Sequence, residues 1–171
     1  MRHMAYRYAT APSVEPAGAG GAVRAYLAAV RESAGANAYA ALLGLRVFDT
    51  PALHHKVEHG LAFAALLRLG RLMAMPLAAL GDTLQIPPRT LQRRKAKGRL
   101  EADESDRLLR LTRLYGKALE LFEGDNSATL QWLRTPRTAL GGKTPLAMST
   151  SEPGAHEVEH LIGRLEHGVI A

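Results

Sequence analysis

The sequence predicts an all-α protein. Apolar residues recur at i, i+3, i+4 and i+7 along most of the chain. No run alternates with the two-residue period of a strand for any length. Proline and glycine fall where helices should start and stop, and about eight helices are expected.

Residues 11–21 are mostly Ala, Gly and Pro with almost no large apolar side chain, so residues 1–21 are expected to form a flexible arm. From Ala22 the pattern turns helical, with Val23, Tyr26, Leu27 and Val30 on one face. A short helix from Asn37 to Leu43 closes at Gly44, and Leu45 to Phe48 forms a brief extended link. Thr50 serves as an N-cap with Pro51 at the first helical position. That helix runs to about His59 and breaks at Gly60, and the helical pattern resumes from Leu61 to Leu69. Pro76 opens a helix through Leu84, and Pro87-Pro88 stops it and starts the next.

Glu101 to Phe122 is the longest periodic segment. Leu108, Leu111, Tyr115, Ala118 and Phe122 form its apolar face, widened by Leu114 and Leu121. Glu101, Asp103, Glu104 and Asp106 sit in its first turns, where carboxylates suit the positive end of the helix dipole. Gly124 ends it, and Asp125 or Asn126 caps a helix that closes at Trp132-Leu133 before Pro136. Gly141-Gly142 and Pro145 make an irregular connection. Val158, Leu161, Ile162 and Leu165 mark a last helix ending at Gly168.

Composition narrows the function. With 171 residues and 47% hydrophobic content, the chain can bury a core. The absence of Cys excludes disulfide scaffolds, Cys-ligated zinc and Cys nucleophiles. No apolar run reaches the ~18 residues of a membrane span, and Met1 to Thr10 lacks the apolar stretch of a signal peptide. A cytoplasmic protein without a membrane partner is expected.

The net charge of +6 is unevenly placed. Residues 1–85 hold 8 basic and 5 acidic side chains, and residues 100–171 hold 8 and 11. The window 86–99 carries Arg89, Arg93, Arg94, Lys95, Lys97 and Arg99 without one acid. Such a block calls for a polyanion.

Its setting is a helix-turn-helix: two helices, a short turn and a basic second helix. Gly81 permits close approach, and Leu80, Leu84, Ile86 and Leu91 form the corner. Gln85 stands where glycine is common, at a cost of about 1 kcal/mol for the left-handed conformation. At roughly 100° per residue, Arg89 and Arg93 lie opposite Leu91, flanked by Gln92 and Lys97. These four suit base edges, since Arg reads guanine and Gln reads adenine. Arg94, Lys95 and Arg99 lie further round and suit phosphates, as does the Thr90 hydroxyl. The alternative is a solvated face whose stems cover the core.

Other constellations are weaker. His55 and His59 have i, i+4 spacing, with His54 and Glu58 nearby, but a third ligand is missing and no metal site is assigned. Gly18, Gly20 and Gly21 follow no strand, which excludes a dinucleotide fingerprint. No Ser, His and Asp group forms a nucleophile context, so no catalytic residue, no cofactor and no enzyme are expected.

Arg89-Thr90-Leu91 through Gly98-Arg99-Leu100, followed by Glu104-Ser105-Asp106-Arg107-Leu108, resembles the Xre–MbcA–ParS antitoxin family. So do Trp132-Leu133, Leu140-Gly141-Gly142-Lys143-Thr144-Pro145-Leu146, and the ending Gly154, Val158, Leu161, Arg164, Glu166-His167-Gly168. The resemblance runs from about Leu53 to the C-terminus. It departs at Arg137, where the family commonly has Asn before the Ala-Leu-Gly-Gly turn.

The resemblance implies a helix-turn-helix N-terminal domain followed by a small helical toxin-binding domain. The expected division is 1–21 arm, 22–100 helix-turn-helix domain and 101–171 toxin-binding domain. Implied partners are a cognate RES-domain toxin that consumes NAD, whose pocket the antitoxin occludes, and operator DNA through which it represses its own operon. A homodimer within a larger toxin–antitoxin complex is also implied. Lys143, Arg164, Glu166, Gly168, Ile170 and Ala171 are the expected toxin contacts. A stand-alone helix-turn-helix regulator without a toxin is the alternative, and a metal-dependent enzyme using the histidines a more distant one.

Overall fold

The computed structural model describes residues 19–31, 37–47 and 49–168. Among these residues are nine α-helices: α1 Ala19–Arg31, α2 Thr50–Glu58, α3 Phe63–Leu72, α4 Leu77–Thr83, α5 Pro88–Lys97, α6 Ala102–Leu121, α7 Asn126–Arg134, α8 Pro145–Met148 and α9 Glu152–Glu166. Two 3₁₀ segments, Ala38–Leu43 and Thr138–Leu140, complete the secondary structure. The described residues contain no strand, only an isolated antiparallel bridge between Ala62 and Arg99.

The starts of α1, α2 and α3 differ from expectation, α3 ends at Leu72 rather than Leu69, and α8 lies where an irregular connection was expected. Helix α1 already includes residues 19–21, which were expected in the arm; residues 1–18 lie outside the described residues. The N-cap of α2 is Asp49 rather than Thr50, because its carboxylate accepts the Ala52 N–H at 2.9 Å. Helix α3 starts at Phe63 rather than Leu61. The backbone before it is committed elsewhere: Leu61 N–H donates to Ser105 Oγ at 2.8 Å, and Leu61 C=O accepts from Leu100 N–H at 2.9 Å. Gly60 permits this crossing, since a Cβ there would lie 2.0 Å from the Leu100 carbonyl oxygen. Phe48, expected in the extended link, lies outside the described residues.

Helix α6 is the axis of the molecule. The expected face is buried at Leu108, Leu111, Leu114, Tyr115 and Ala118, and Ser105, Leu109, Thr112 and Leu119 are buried as well. Burial extends this far round because the 38–43 segment, α2, α7 and α9 all pack on α6. Phe122 and Leu121, at its end, are only half-buried. Tyr26 of α1 is buried and donates its hydroxyl to Glu120 of α6. Burial, then that hydrogen bond, pushes its ionisation well above the usual tyrosine range.

A buried polar junction joins the early and late helices. Tyr115 donates to Asn126 Oδ1 at 2.6 Å, and Asn126 Nδ2 donates to the Leu72 carbonyl at 3.1 Å. Arg134 Nη2 donates to the Met73 carbonyl at 2.6 Å. The end of α3, whose last carbonyls lack helical partners, is therefore satisfied by residues from α7. A single apolar cluster runs from Val23 to Ile162 across residues 100 and 101.

Candidate functional site

The turn between α4 and α5 follows from its sequence. Gln85 N–H donates to the Asp82 carbonyl at 3.0 Å and Ile86 N–H to the Gly81 carbonyl at 2.8 Å, the paired bonds of a Schellman motif. Gln85 itself has φ of 55°, left-handed as the turn requires. Pro87 and Pro88 then open α5. Leu80, Leu84, Ile86 and Leu91 are all buried at this corner. A Cβ at Gly81 would approach Leu91 Cδ2 to 2.9 Å, so the two helices meet across this glycine.

Seven of the eight residues expected to meet DNA lie on accessible parts of this unit. Arg89, Gln92, Arg93, Lys95, Lys97 and Arg99 are exposed, and Thr90 is half-buried. Arg89, Arg93 and Lys95 have no hydrogen-bond or ion-pair partner among the described residues. Lys97 pairs with Glu101 at 3.0 Å, and Arg99 Nη1 donates to the His59 carbonyl at 2.8 Å.

Arg94 departs from the expected phosphate contact. Its side chain retains 11% of its accessible surface, because it lies between the outward face and the Leu91 side and reaches the first turn of α6. Its Nε donates to both Glu104 oxygens, at 3.0 and 2.8 Å, and its Nη1 lies 3.0 Å from Glu101 Oε1. Glu104 Oε2 also accepts the Glu101 N–H at 2.8 Å, completing a capping box. The hydrogen bond to Glu104 raises the Arg94 ionisation above its ordinary value, and the Lys97 hydrogen bond, with Arg94 close by, lowers that of Glu101. Their position in the first turns of the helix predicts only a helix-dipole role for these acids. The Glu-x-x-Glu capping spacing was visible in sequence; the arginine it would receive was not.

The second accessible region lies around α7 to α9. Trp132 is buried, and the Arg137 guanidinium carbon sits 5.4 Å from its ring centroid. Arg137 closes the glycine turn through its backbone. Its N–H donates to the Lys143 carbonyl at 3.0 Å, and its carbonyl accepts from Leu140 and Gly142 N–H, each at 3.0 Å. The turn is thus closed by backbone hydrogen bonds alone, with no side-chain cap from Arg137. Gly141 and Gly142 both have positive φ, 64° and 79°.

Lys143 leaves this turn exposed, and Thr144 caps α8 by accepting the Ala147 N–H at 3.0 Å. Helix α9 packs on both α8 and the 138–140 turn. Arg164 is half-buried, while Glu166 and Gly168 are exposed beyond it. Ile170 and Ala171 lie outside the described residues. Of the apolar residues of α9, Val158, Leu161 and Ile162 are core, whereas Leu165 is 39% exposed.

Ion pairs fasten α9 to α6. Arg110 lies 2.8 Å from Glu152, and Arg113 and Lys117 lie 2.7 and 2.8 Å from the two oxygens of Glu159. Burial pushes the Glu159 carboxyl up, but its hydrogen bonds to Lys117 and Arg113 together hold it below the usual range. The histidines pair locally: the His55 and His59 ring centroids lie 4.2 Å apart with the planes tilted by 32°, and His54 sits 3.3 Å from Glu58. No single helix among the described residues is long and apolar enough to cross a membrane.

Comparison with known proteins matches both regions. The antitoxin Xre-like helix-turn-helix domain matches residues 52–113, and the antitoxin Xre/MbcA/ParS C-terminal toxin-binding domain matches residues 117–168. An Antitoxin Xre from Photorhabdus laumondii is 42% identical over 95 residues, 53% of this chain and 64% of that protein. Its counterpart from Yersinia enterocolitica is 40% identical over 99 residues, covering 57% of this chain and 67% of the relative. One from Pseudomonas putida is 34% identical over 84 residues, covering 48% and 52%. The matched stretch thus spans about two thirds or less of each relative's length. Both family matches meet within α6, the helix that holds α5 at one end and α9 along its side. The chain belongs to the Xre family of antitoxins, with a helix-turn-helix domain and a C-terminal toxin-binding domain.

Proposed function

We propose that this protein is a cytoplasmic, non-enzymatic antitoxin that occludes the active site of a cognate RES-domain toxin and thereby stops its consumption of NAD. It also represses its own operon as a homodimer, reading operator DNA with α5. One observation carries this reading: a basic helix-turn-helix and a toxin-binding domain share one core, and three α5-unit cations have no partner among the described residues. Unpaired cations on a helix of this kind are suited to neutralising phosphates and reaching base edges.

Arg89, Arg93, Gln92 and Lys97 are assigned to base edges, and Thr90, Lys95 and Arg99 to phosphates. Lys143, Arg164, Glu166 and Gly168, with Ile170 and Ala171 beyond the described residues, are assigned to the toxin. The division at residue 100 fits this partition of roles, although α6 serves both sides. Co-purification with the product of the adjacent gene tests the reading. A stable complex that suppresses NAD consumption is expected. An adjacent gene that encodes no RES protein, with specific DNA binding intact, would instead favour a stand-alone regulator.

A further inference from the structure

Leu91 is the one buried side chain of α5, and α4 meets α5 at the Gly81–Leu91 corner. The C-terminal end of α5 is tied down where the Gly98 carbonyl accepts the Phe63 N–H at 2.9 Å, but a single fully buried side chain leaves rotation about the helix axis weakly set, and rotation moves Arg89 and Arg93 relative to any groove they enter. Helix α6 supplies further constraints, and these act on the body of the helix and on the turn before it. Glu104 grips Arg94 in the middle of α5 with both carboxylate oxygens. Arg107 donates from Nε to the Leu84 carbonyl at 2.7 Å, holding the turn that leads into α5. These bonds are directional, so they fix rotation about the helix axis as an apolar contact cannot.

We propose that Glu104 is a positioning residue for DNA recognition, fixing through Arg94 the angle at which α5 presents Arg89, Gln92 and Arg93. The inference rests on the DNA-binding reading above. Glu104 is 4% exposed and touches no solvent face from which it could meet DNA. Replacing a whole buried ion pair by apolar groups is often neutral for stability, whereas removing one partner leaves the other charge uncompensated, so the folded fraction is measured alongside binding.

The sign of the effect separates this role from simple electrostatics. Glu104→Gln removes a negative charge from the basic region, so phosphate attraction alone predicts tighter binding to every duplex. Positioning predicts the reverse for specific DNA. Binding should be measured on a duplex from immediately upstream of the coding sequence and on a scrambled duplex of equal composition. Glu104→Gln should weaken the upstream duplex by roughly tenfold, the scale of one lost specific contact, while scrambled DNA binds equally or more tightly.

Arg94→Lys is the second variant. It keeps the charge, but an ammonium cannot span Glu101 and Glu104 as the guanidinium does. The same loss of preference is expected, with helical circular dichroism and toxin neutralisation retained. A merely structural defect would weaken both duplexes together in step with the folded fraction. Wild-type preference in both variants overturns the inference alone. A wild-type protein with no preference between the duplexes overturns the DNA-binding reading and the inference with it.

Discussion

At Gln85 the chain takes a left-handed turn with a side chain in place, a conformation that costs an L-residue about 1 kcal/mol. Gln85→Gly should therefore raise stability by a fraction of that amount, part of it being returned as added freedom of the unfolded chain. Thermal melts check this, and a fall in melting temperature would contradict it. Four residues on, Arg89 and then Arg93 face solvent without partners among the described residues. Replacing both with Ala should abolish preference for the operator and leave toxin neutralisation unchanged, as read by gel shift and by growth with the toxin. Helical spacing from Leu91 made these residues legible. Arg94 was not, because the same wheel places it at the border between faces. Which way a border arginine turns depends on a carboxylate ten residues later, and no local pattern encodes that meeting.

Elements were legible where punctuation is strong. Pro76, Pro87 and Pro88 fixed the helix-turn-helix to within a residue, and Gly44 ended the 38–43 segment as expected. The start of α3 was not legible, since Leu61 continues the apolar period while its backbone pairs with Ser105 and Leu100 across the molecule. The attachment of α9 to α6 was equally hidden, as it depends on charges about forty residues apart. Glu159 is its centre, with a carboxyl held below the usual range by Lys117 and Arg113. A depressed folded value means that its stabilisation is present above the ordinary glutamate value of about 4.3 and lost as pH falls through the folded one. Glu159→Gln should cost about 1 kcal/mol at neutral pH, and the difference from wild type should narrow as pH falls below the ordinary glutamate value and close only below the folded one. Denaturant titrations at neutral pH and through the acid range check this. A constant difference would contradict it.

For the molecule as a whole, the regions proposed to meet DNA and toxin are packed on one core. Tyr115 of α6, Asn126 of α7 and the end of α3 form one buried junction, so both functional regions share a core. Calorimetry should accordingly show one cooperative transition for this core, and two resolved transitions would contradict it. Tyr115→Phe leaves the buried Asn126 oxygen without its donor and should lower stability by about 1–3 kcal/mol. The sequence resemblance began near Leu53 and said nothing of the preceding residues. In the structure Val23, Tyr26, Leu42 and Leu43 are buried in the same core. Of the six cations in the basic block, Arg94 and Lys97 are paired with acids of the α6 N-terminus and Arg99 with a backbone carbonyl, while Arg89, Arg93 and Lys95 have no partner among the described residues.

Cellular NAD, measured during co-expression with the proposed RES-domain toxin, tests most directly whether α5 and the α7–α9 region divide the two proposed roles between them. Wild type and the Arg89→Ala, Arg93→Ala double variant should both preserve NAD, whereas Lys143→Glu with Arg164→Glu should let it fall while repression persists. NAD loss with the α5 variant, or full protection by the C-terminal variant, would contradict the account.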